Sequence, residues 1–242
     1  SGNCIIPAKA INKIEGNKGM AVYINDFVSN TPEANAICSE ADIIIVERNL
    51  FGDALTMMQY WKVRGKSLAV IFDDAYDIIL PQNPSYSFWN KGEMKGKDKN
   101  GIEKTFHMNP PPIEQFKWGL KMVKGIQVPS VALAEDWSKY NNTFYVHNYL
   151  DVDRYKNKEP LFPHSADEIY IGWCGSMSHL SSFRDSGAID ALRKISRKYP
   201  KVKILIGGDK RVFDLLETKN KIFQPYVPED KWASLLTSLD IA

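Results

Sequence analysis

Short apolar runs rich in β-branched residues recur along the chain and alternate with segments of helical spacing. The clearest are residues 42–46 (DIIIV) and 68–72 (LAVIF) in the first half, and residues 201–206 (KVKILI) in the second. Such a run is typical of a strand buried on both faces of a parallel sheet. Strands and helices in alternation predict an α/β fold in which helices cover both faces of parallel sheets.

A polar stretch at residues 151–167, with Pro160 and Pro163, interrupts this alternation. An expected strand at residues 168–173 restarts it, so we place a first domain at residues 1–155 and a second at residues 156–242. Each is expected to be Rossmann-like, with ligands at the carboxyl ends of its strands. Residues 239–242 (LDIA) resemble the opening of a further strand, so we expect the second domain to be incomplete. An open sheet edge leaves pairing with a second copy open.

Several local predictions accompany this outline. Residues 20–24 (MAVYI) are expected to form a buried strand. Residues 75–112, which contain several prolines, are expected to form a long irregular loop. Asp53 is expected to cap a helix that stops at Gly65, and Asp185 to cap one that runs to Tyr199.

Charge and cysteine content exclude several classes of function. The net charge is +2 and basic residues are mixed with acids, so we expect no nucleic-acid partner. Cys4, Cys38 and Cys174 are odd in number and far apart, which indicates no disulfide framework, no paired zinc site and a cytoplasmic location. No apolar run reaches the roughly 18 residues that span a bilayer, although peripheral membrane contact stays open. We expect no cofactor.

One glycine-containing segment follows the expected strand at residues 168–173. It contains Gly175, Ser176 and His179. Backbone N–H groups and hydroxyls in such a loop could hold a phosphate. The same segment also fits an ordinary connection between a strand and a helix, and the pattern is neither a dinucleotide-binding nor a P-loop motif.

A second such segment follows the expected strand at residues 201–206. Gly207 and Gly208 would let a ligand approach the backbone, and Lys210 or Arg211 could neutralise a diphosphate. The alternative is a tight turn with exposed basic residues. The sequence leaves both interpretations open.

Acidic residues follow two strands of the first half. Asp73, Asp74 and Asp77 come after residues 68–72, and Glu47 with Arg48 follows residues 42–46. The three carboxylates could hold a divalent metal, act as a base or bind sugar hydroxyls. Equally, Asp74 could cap a turn, and the Glu47–Arg48 pair could be a structural ion pair rather than a hydrogen-bonding platform.

Taken in order, several segments resemble the GT-B glycosyltransferases, in particular the large retaining group often labelled glycosyltransferase group 1. The segments cover most of the chain after about residue 40, and the ordered set is more specific than any one of them. They are Val128-Pro129-Ser130 with Leu133, the run from Val146 to Asp151, the run from Ile171 to Ser176 with His179, and the run from Phe223 to Asp240.

This resemblance implies a UDP- or GDP-type nucleotide-sugar donor bound mainly by the second domain, and a saccharide or lipid-linked acceptor bound mainly by the first. It implies transfer with retention, without an essential metal, driven by stabilisation of the leaving diphosphate. The implied donor-side residues are Gly175, Ser176, His179, Gly207, Gly208, Lys210, Arg211 and Val227, and the implied acceptor-side residues are Glu47, Arg48, Asp73 and Asp74.

The chain departs from the family pattern in the donor site. Ser176 and Ser181 stand near the places where the family carries an Arg and a Lys on the diphosphate. The family's pair of donor-gripping glutamates would lie beyond Ala242, and its first glycine-rich turn would lie before Ser1. We therefore expect a piece of a transferase that is inactive by itself.

Two other hypotheses remain at this stage. One is a non-catalytic module that binds a carbohydrate or a partner, for which Tyr86, Phe88 and Trp89 would offer stacking surfaces. The other is a metal-dependent enzyme that acts at Asp73 and Asp74.

Overall fold

The structure is a computed structural model that describes residues 2–148, 152–175 and 179–242. The chain divides into two compact units, Ser1–Tyr149 and Leu150–Ala242. Each unit has its own parallel sheet and its own hydrophobic core, and each is described by itself.

Helices and strands alternate through much of the first unit, as the apolar runs predict. The helices are α1 (Gly2–Ile11), α2 (Ile24–Val28), α3 (Pro32–Glu40), α4 (Asp53–Val63), α5 (Tyr86–Lys91), α6 (Pro112–Met122) and α7 (Val131–Trp137), with a 3₁₀ turn at Tyr76–Ile78. The strands are β1 (Ile43–Glu47), β2 (Ser67–Ile71), β3 (Glu93–Lys97), β4 (Glu103–His107), β5 (Gly125–Val128) and β6 (Thr143–Tyr145).

Four of these strands form one parallel sheet in the order β1-β2-β5-β6. Parallel neighbours need a connection that brings the chain back to its starting end, and here helices supply much of it. The carboxyl ends of the four strands therefore lie at the same edge of the sheet. β3 and β4 form a separate antiparallel hairpin.

Local sequence signals set the starts of several helices. The Thr31 hydroxyl accepts a hydrogen bond from the Ala34 N–H at the start of α3, and Ser130 accepts one from the Leu133 N–H at the start of α7. The predicted cap at Asp53 is wrong. Gly52, with φ of 57°, occupies the N-cap position of α4, and Asp53 is the first helical residue.

An aromatic cluster forms the centre of the first unit. The Phe116 side chain, on α6, is fully buried and packs edge-on against Phe72 and Trp137, with ring centroids 5.1 and 5.7 Å apart. Tyr76 and Trp89 pack on the same ring at 5.2 and 5.7 Å. These contacts fix the segment after β2 against α6.

The second unit repeats the alternation on a smaller scale. Its strands are β7 (Ile169–Gly175), β8 (Val202–Gly208) and β9 (Lys221–Gln224), which form a parallel sheet in chain order. Its helices are α8 (Leu180–Asp185), α9 (Ala188–Lys198), α10 (Lys210–Leu215) and α11 (Glu229–Leu236), and a 3₁₀ turn spans Val152–Arg154. Beyond α11, Ile241 forms a parallel bridge with Ile171.

The predicted strand at residues 20–24 is wrong. Residues 20–23 have no regular secondary structure and Ile24 begins α2. Met20 and Tyr23 are 52% and 73% exposed. An apolar run becomes a strand only when a neighbouring strand supplies its hydrogen bonds, and in the described part of the chain no strand pairs with this one.

Two further predictions are corrected. Residues 75–112 are not a long irregular loop, because they contain a 3₁₀ turn, α5 and the β3–β4 hairpin. Asp185 does not cap α9. It is the last residue of α8, and Gly187, with φ of 81°, precedes the first turn of α9.

Replacement of Phe116 by alanine tests the aromatic core. A phenylalanine buried among four other rings leaves a cavity when it is truncated, and the usual cost is about 3–5 kcal/mol. We expect a loss of that size in the free energy of unfolding, measured by urea denaturation with tryptophan fluorescence. The control is Val63→Ala on α4, where the side chain is 74% exposed and the change should stay within about 0.5 kcal/mol. Equal effects of the two substitutions would contradict the described core.

Candidate functional site

Charged residues meet at the carboxyl edge of the first sheet. Glu47 ends β1, Arg48 follows it, and Asp73 follows β2. The Arg48 Nη2 donates to Asp73 Oδ2 at 3.0 Å, and its Nε lies 3.4 Å from Glu47 Oε1. The structure thus joins two segments that the sequence analysis considered separately.

Arg48 adopts an unusual backbone conformation. Its φ is 48°, in the left-handed region that residues other than glycine rarely occupy. The Arg48 N–H still donates to the Ile71 C=O at 3.0 Å, which extends the β1–β2 pairing by one bond. This conformation turns the chain sharply at the end of β1.

Two atoms of this cluster are buried without a hydrogen-bond partner in the described part of the chain. They are Asp73 Oδ1, an acceptor, and Arg48 Nε, a donor that forms an ion pair with Glu47 but no hydrogen bond. A buried polar atom that lacks a partner costs free energy. Both atoms are closed to solvent, so a ligand would meet the other atoms of the Arg48 and Asp73 side chains, which are 41% and 33% exposed.

Tyr76, which was not among the predicted site residues, lies beside this cluster. Its side chain is buried, and burial raises the pKa of its hydroxyl. The nearby Asp74 carboxylate raises that pKa further, so the hydroxyl stays protonated and able to donate. The signal that could have identified Tyr76 is its position two residues after Asp74, next to a buried strand. Asp77 pairs with Lys139 at 3.4 Å.

The aromatic residues considered for sugar stacking belong largely to the core. Trp89 is buried and stacks on Tyr76 with ring centroids 4.1 Å apart. Phe88 is half-buried and packs on Phe51 at 5.4 Å. Tyr86 is also half-buried. The face of Trp89 that a sugar would need is therefore covered by the protein itself.

Glycines form the carboxyl edge of the second sheet. Gly175 ends β7 and pairs in register with Gly208, which ends β8. Gly208 has φ of 92°, and a Cβ at that position would lie 2.5 Å from the Gly175 carbonyl oxygen. A Cβ at Gly207 would lie 2.7 Å from Cys174 Sγ. The local packing therefore favours glycine at both positions. The Trp173 indole lies against Gly175, where a Cβ would be 2.5 Å from it.

The basic residues after β8 are engaged within the chain. Arg211 Nη2 donates to Asp209 Oδ2 at 2.7 Å, and its Nε contacts both carboxylate oxygens. Asp209 is buried, accepts the Arg211 N–H at the start of α10, and has its pKa lowered chiefly by the Arg211 side chain. Lys210 Nζ pairs with Asp214 at 2.6 Å on the exposed face of α10.

The other donor-side residues lie in different environments. His179 is exposed and precedes α8, and its side chain caps none of that helix's N–H groups. Val227 is buried against Tyr170, Leu205 and Leu235, so a ligand could meet only its backbone. Ser176 lies outside the described residues.

Two kinds of feature are absent from the part of the chain that the structure describes. No group of three or more His, Cys, Asp or Glu side chains is arranged to hold a metal ion. None of the helices is long and apolar enough to cross a membrane.

Substitutions of Arg48 test its backbone conformation. Arg48→Gly and Arg48→Ala both remove the ion pair, but only alanine keeps a Cβ in the left-handed region. We expect the free energy of unfolding of the glycine variant to be about 1 kcal/mol higher than that of the alanine variant. Arg64, which follows α4 with φ of −84°, is the matched control, because glycine should be the less stable replacement there. The same order at both sites would contradict the geometry of Arg48.

The stability of the second unit should depend on the charge of Asp209. A carboxyl whose pKa is lowered by folding stabilises the protein above its unfolded value of about 4, and this contribution is lost as the pH falls through the folded value. Asp209→Asn keeps an oxygen for the α10 start but carries no charge. We expect the difference in unfolding free energy between the wild type and this variant to be constant near neutrality and to shrink below about pH 4. An unchanged difference at pH 3 would argue against the buried carboxylate.

No family model matches the chain, and no curated protein matches it. Solved structures do resemble it. A candidate UDP-N-acetylglucosamine 2-epimerase from Listeria monocytogenes aligns over 95% of this chain and 60% of its own, with a TM-score of 0.51 and 12% identity. Another structure named UDP-N-acetylglucosamine 2-epimerase aligns over 94% and 56%, with a TM-score of 0.49 and 9% identity.

A variant of S. aureus TarM, solved with Fondaparinux, alpha-GlcNAc-glycerol and UDP, aligns over 88% of this chain and 38% of its own, with a TM-score of 0.46 and 14% identity. The chain thus spans 60% or less of the length of these three structures. At such identities the likeness concerns the fold alone. Together with the two parallel sheets, the first alignment establishes an α/β fold of two Rossmann-like units of the GT-B type.

Proposed function

We propose that this chain forms part of a glycosyltransferase. The enzyme takes a sugar from a UDP- or GDP-type donor and transfers it, with retention, to a saccharide or lipid-linked acceptor. The observation that carries the proposal is the placement of ligand-binding features in a GT-B type fold. Both parallel sheets have these features at their carboxyl edges, which is where open α/β sheets bind ligands.

The second unit supplies the donor side of this proposal. At the Gly175–Gly208 edge, a diphosphate can approach glycine backbone beside the Trp173 indole, which lies against Gly175. Lys210 is the cation that can turn to it, because its pair with Asp214 is exposed and such pairs contribute little. Arg211 has its guanidinium on the buried Asp209, so we assign it a structural role in holding the turn.

The first unit supplies the acceptor side. Sugar hydroxyls both donate and accept, which suits the Arg48 guanidinium and the Asp73 carboxylate, whose side chains are 41% and 33% exposed. Glu47 orients the guanidinium from one side and Asp73 from the other. The exposed Asp74 extends the same polar surface, and the buried, protonated Tyr76 lies beside it. Arg48 bound to two carboxylates also disfavours the hypothesis that Asp73 and Asp74 hold a metal.

A second candidate function is epimerisation of the nucleotide-sugar itself. It is suggested by the name of the Listeria monocytogenes structure, which shares the fold. That reaction needs no acceptor, so the Arg48–Asp73 cluster would have no assigned role in it. The cluster therefore favours transfer. A non-catalytic carbohydrate-binding module would use the acceptor side without the donor side.

Titration of the ¹⁵N-labelled chain with UDP, GDP and UMP tests the donor assignment. We expect amide shifts at Gly175, Gly207, Gly208 and His179, larger for UDP or GDP than for UMP, because the second phosphate makes the backbone contacts. Lys210→Ala should weaken the binding. Lys219→Ala, an exposed lysine of the same unit, is the matched control and should leave it unchanged.

Three outcomes separate the hypotheses. Shifts confined to other faces of the second unit, or equal responses to UDP and UMP, would contradict the diphosphate site. Saccharide-induced shifts near Arg48 with no response to any nucleotide would favour the non-catalytic module. Isolation of an epimerised nucleotide-sugar in the absence of acceptor would favour epimerisation over transfer.

A further inference from the structure

The positive charge of the second unit is concentrated in one segment. Residues 191–208 hold six basic residues and no acidic one, whereas the rest of residues 150–242 holds nine basic and thirteen acidic residues. This segment comprises most of α9 and all of β8. The unit is therefore basic on α9 and the residues that follow it, and acidic elsewhere.

Three of these basic side chains share the outward face of α9. Lys194, Arg197 and Lys198 follow one another at spacings of three and four residues, so they are neighbours on the helix surface, and all three are exposed. Ile189 and Ser196, on the inward face, are buried. The helix thus covers its sheet with one face and presents a row of cations with the other.

The acidic residues nearest to this row are engaged with another cation. Asp190 and Glu217 both pair with Arg193, at 3.3 and 3.2 Å. The Arg193 side chain is only 25% exposed, so it belongs to the flank of the helix rather than to the outward row. None of the described carboxylates forms an ion pair with the three outward cations. Their charge is left for a partner in solution.

A second chain segment adds a cation beside α9. The Thr218 hydroxyl contacts the Ser196 hydroxyl of α9, and Asn220 Nδ2 donates to the Pro200 C=O at 3.1 Å. These two contacts hold residues 218–220 against the carboxyl-terminal half of the helix. Lys219, which lies between them in sequence, is exposed.

The residues just after α9 continue the basic surface. The Lys201 side chain is 71% exposed, and its only printed partner in the described chain, Asp167 at 3.7 Å, is 85% exposed, so the pair contributes little. Tyr199 is 49% exposed, and Lys198 Nζ lies 5.1 Å from the centre of its ring. An aromatic ring with a polar tip next to lysines suits the boundary between water and lipid.

Helix stability explains only part of this arrangement. Arg197 and Lys198 stand in the last turn of α9, where cations stabilise the helix dipole. Lys194 lies one turn earlier, and Lys201 and Lys219 lie outside the helix. A requirement of the helix end therefore does not account for these three.

We propose that these five cations, called here the basic face, bind the surface of an anionic phospholipid bilayer. The basic face consists of Lys194, Arg197, Lys198, Lys201 and Lys219. A bilayer presents many phosphate charges in one plane and requires no pocket, which suits cations on the convex outside of a helix. The Tyr199 ring then lies at the level of the headgroups.

The distribution of charge favours a flat surface over a nucleic acid. A long polyanion that extends past α9 would meet the acidic remainder of the unit, and the net charge of the whole chain is only +2. A bilayer contacts only the face that is turned toward it, and it repels the acidic remainder, which orients the unit. The inference does not depend on the sugar transfer proposed above, because it concerns only charge and exposure.

Co-sedimentation of the full chain with phospholipid vesicles tests the proposal. The probe is a vesicle of two parts phosphatidylcholine to one part phosphatidylglycerol, and the reference is a vesicle of phosphatidylcholine alone. We expect binding to the first and not to the second. The binding should be lost when the salt is raised from about 0.1 to about 1 M, because the Debye length then falls from about 10 to about 3 Å.

Two triple variants locate the binding. The first neutralises the helical part of the basic face by Lys194→Gln, Arg197→Gln and Lys198→Gln. Each basic residue near an anionic surface strengthens binding about fivefold, so we expect the partition coefficient to fall about 100-fold. The matched control removes three exposed lysines from the β3–β4 hairpin by Lys95→Gln, Lys97→Gln and Lys99→Gln. It lowers the net charge equally and should leave the binding unchanged.

A variant outside the helix separates lipid binding from helix stability. Lys219→Gln leaves α9 intact and should lower the partition coefficient about fivefold. Equal binding to both vesicles, no binding to either, or an equal loss in the hairpin variant would overturn the proposal. So would an unchanged partition coefficient in Lys219→Gln and the α9 variant. Tighter binding to polyglutamate than to the vesicles would assign the face to an acidic polypeptide instead.

Discussion

Parallel strand pairing is the constraint on which the rest of this structure depends. It brings the ends of strands that are distant in sequence to the same edge of a sheet. In the first unit this joins Arg48, after β1, to Asp73, after β2. In the second it sets Gly175 against Gly208. Neither site exists within one segment of the chain, and both arise because the helical connections return the chain to the same end.

The carboxyl edges of the two sheets differ in chemistry because one is formed by glycine backbone and the other by charged side chains. Glycines at the ends of β7 and β8 leave backbone, whose N–H groups suit an anion. Charged side chains at the ends of β1 and β2 form a cluster whose members bind one another and are still partly exposed. Such a cluster suits a neutral ligand with hydroxyls, because a charged one would compete with an ion pair already formed.

Much of the fold could be predicted from the sequence, because buried parallel strands have their own composition. Residues 42–46, 68–72 and 201–206 correspond to β1, β2 and β8. The β3–β4 hairpin could not be predicted in this way. Its strands are polar and mostly exposed, so neither apolar periodicity nor burial marks them.

The surroundings of a site residue could be predicted only where its position at the end of a strand determines them. Glu47, Arg48 and Asp73 meet because each follows a strand. The partners of Arg211 and Lys210 depend instead on side-chain directions within one turn of α10, which a one-dimensional pattern does not contain. Tyr76 depends on a ring stacking against Trp89 from a later segment. Tertiary packing of this kind decides the protonation state of a group as well as its position.

The error at residues 20–24 has the same origin and adds a physical point. The amino-acid composition of a strand reflects how far its two faces are buried. The formation of a strand also requires hydrogen bonds along its edges. Residues 20–23 have the composition, and Ile43 and Ile45 of β1 have the unmatched edge, yet the two segments flank one groove without pairing. Composition and hydrogen-bonded pairing are therefore separate requirements for a strand, and an apolar run meets only the first.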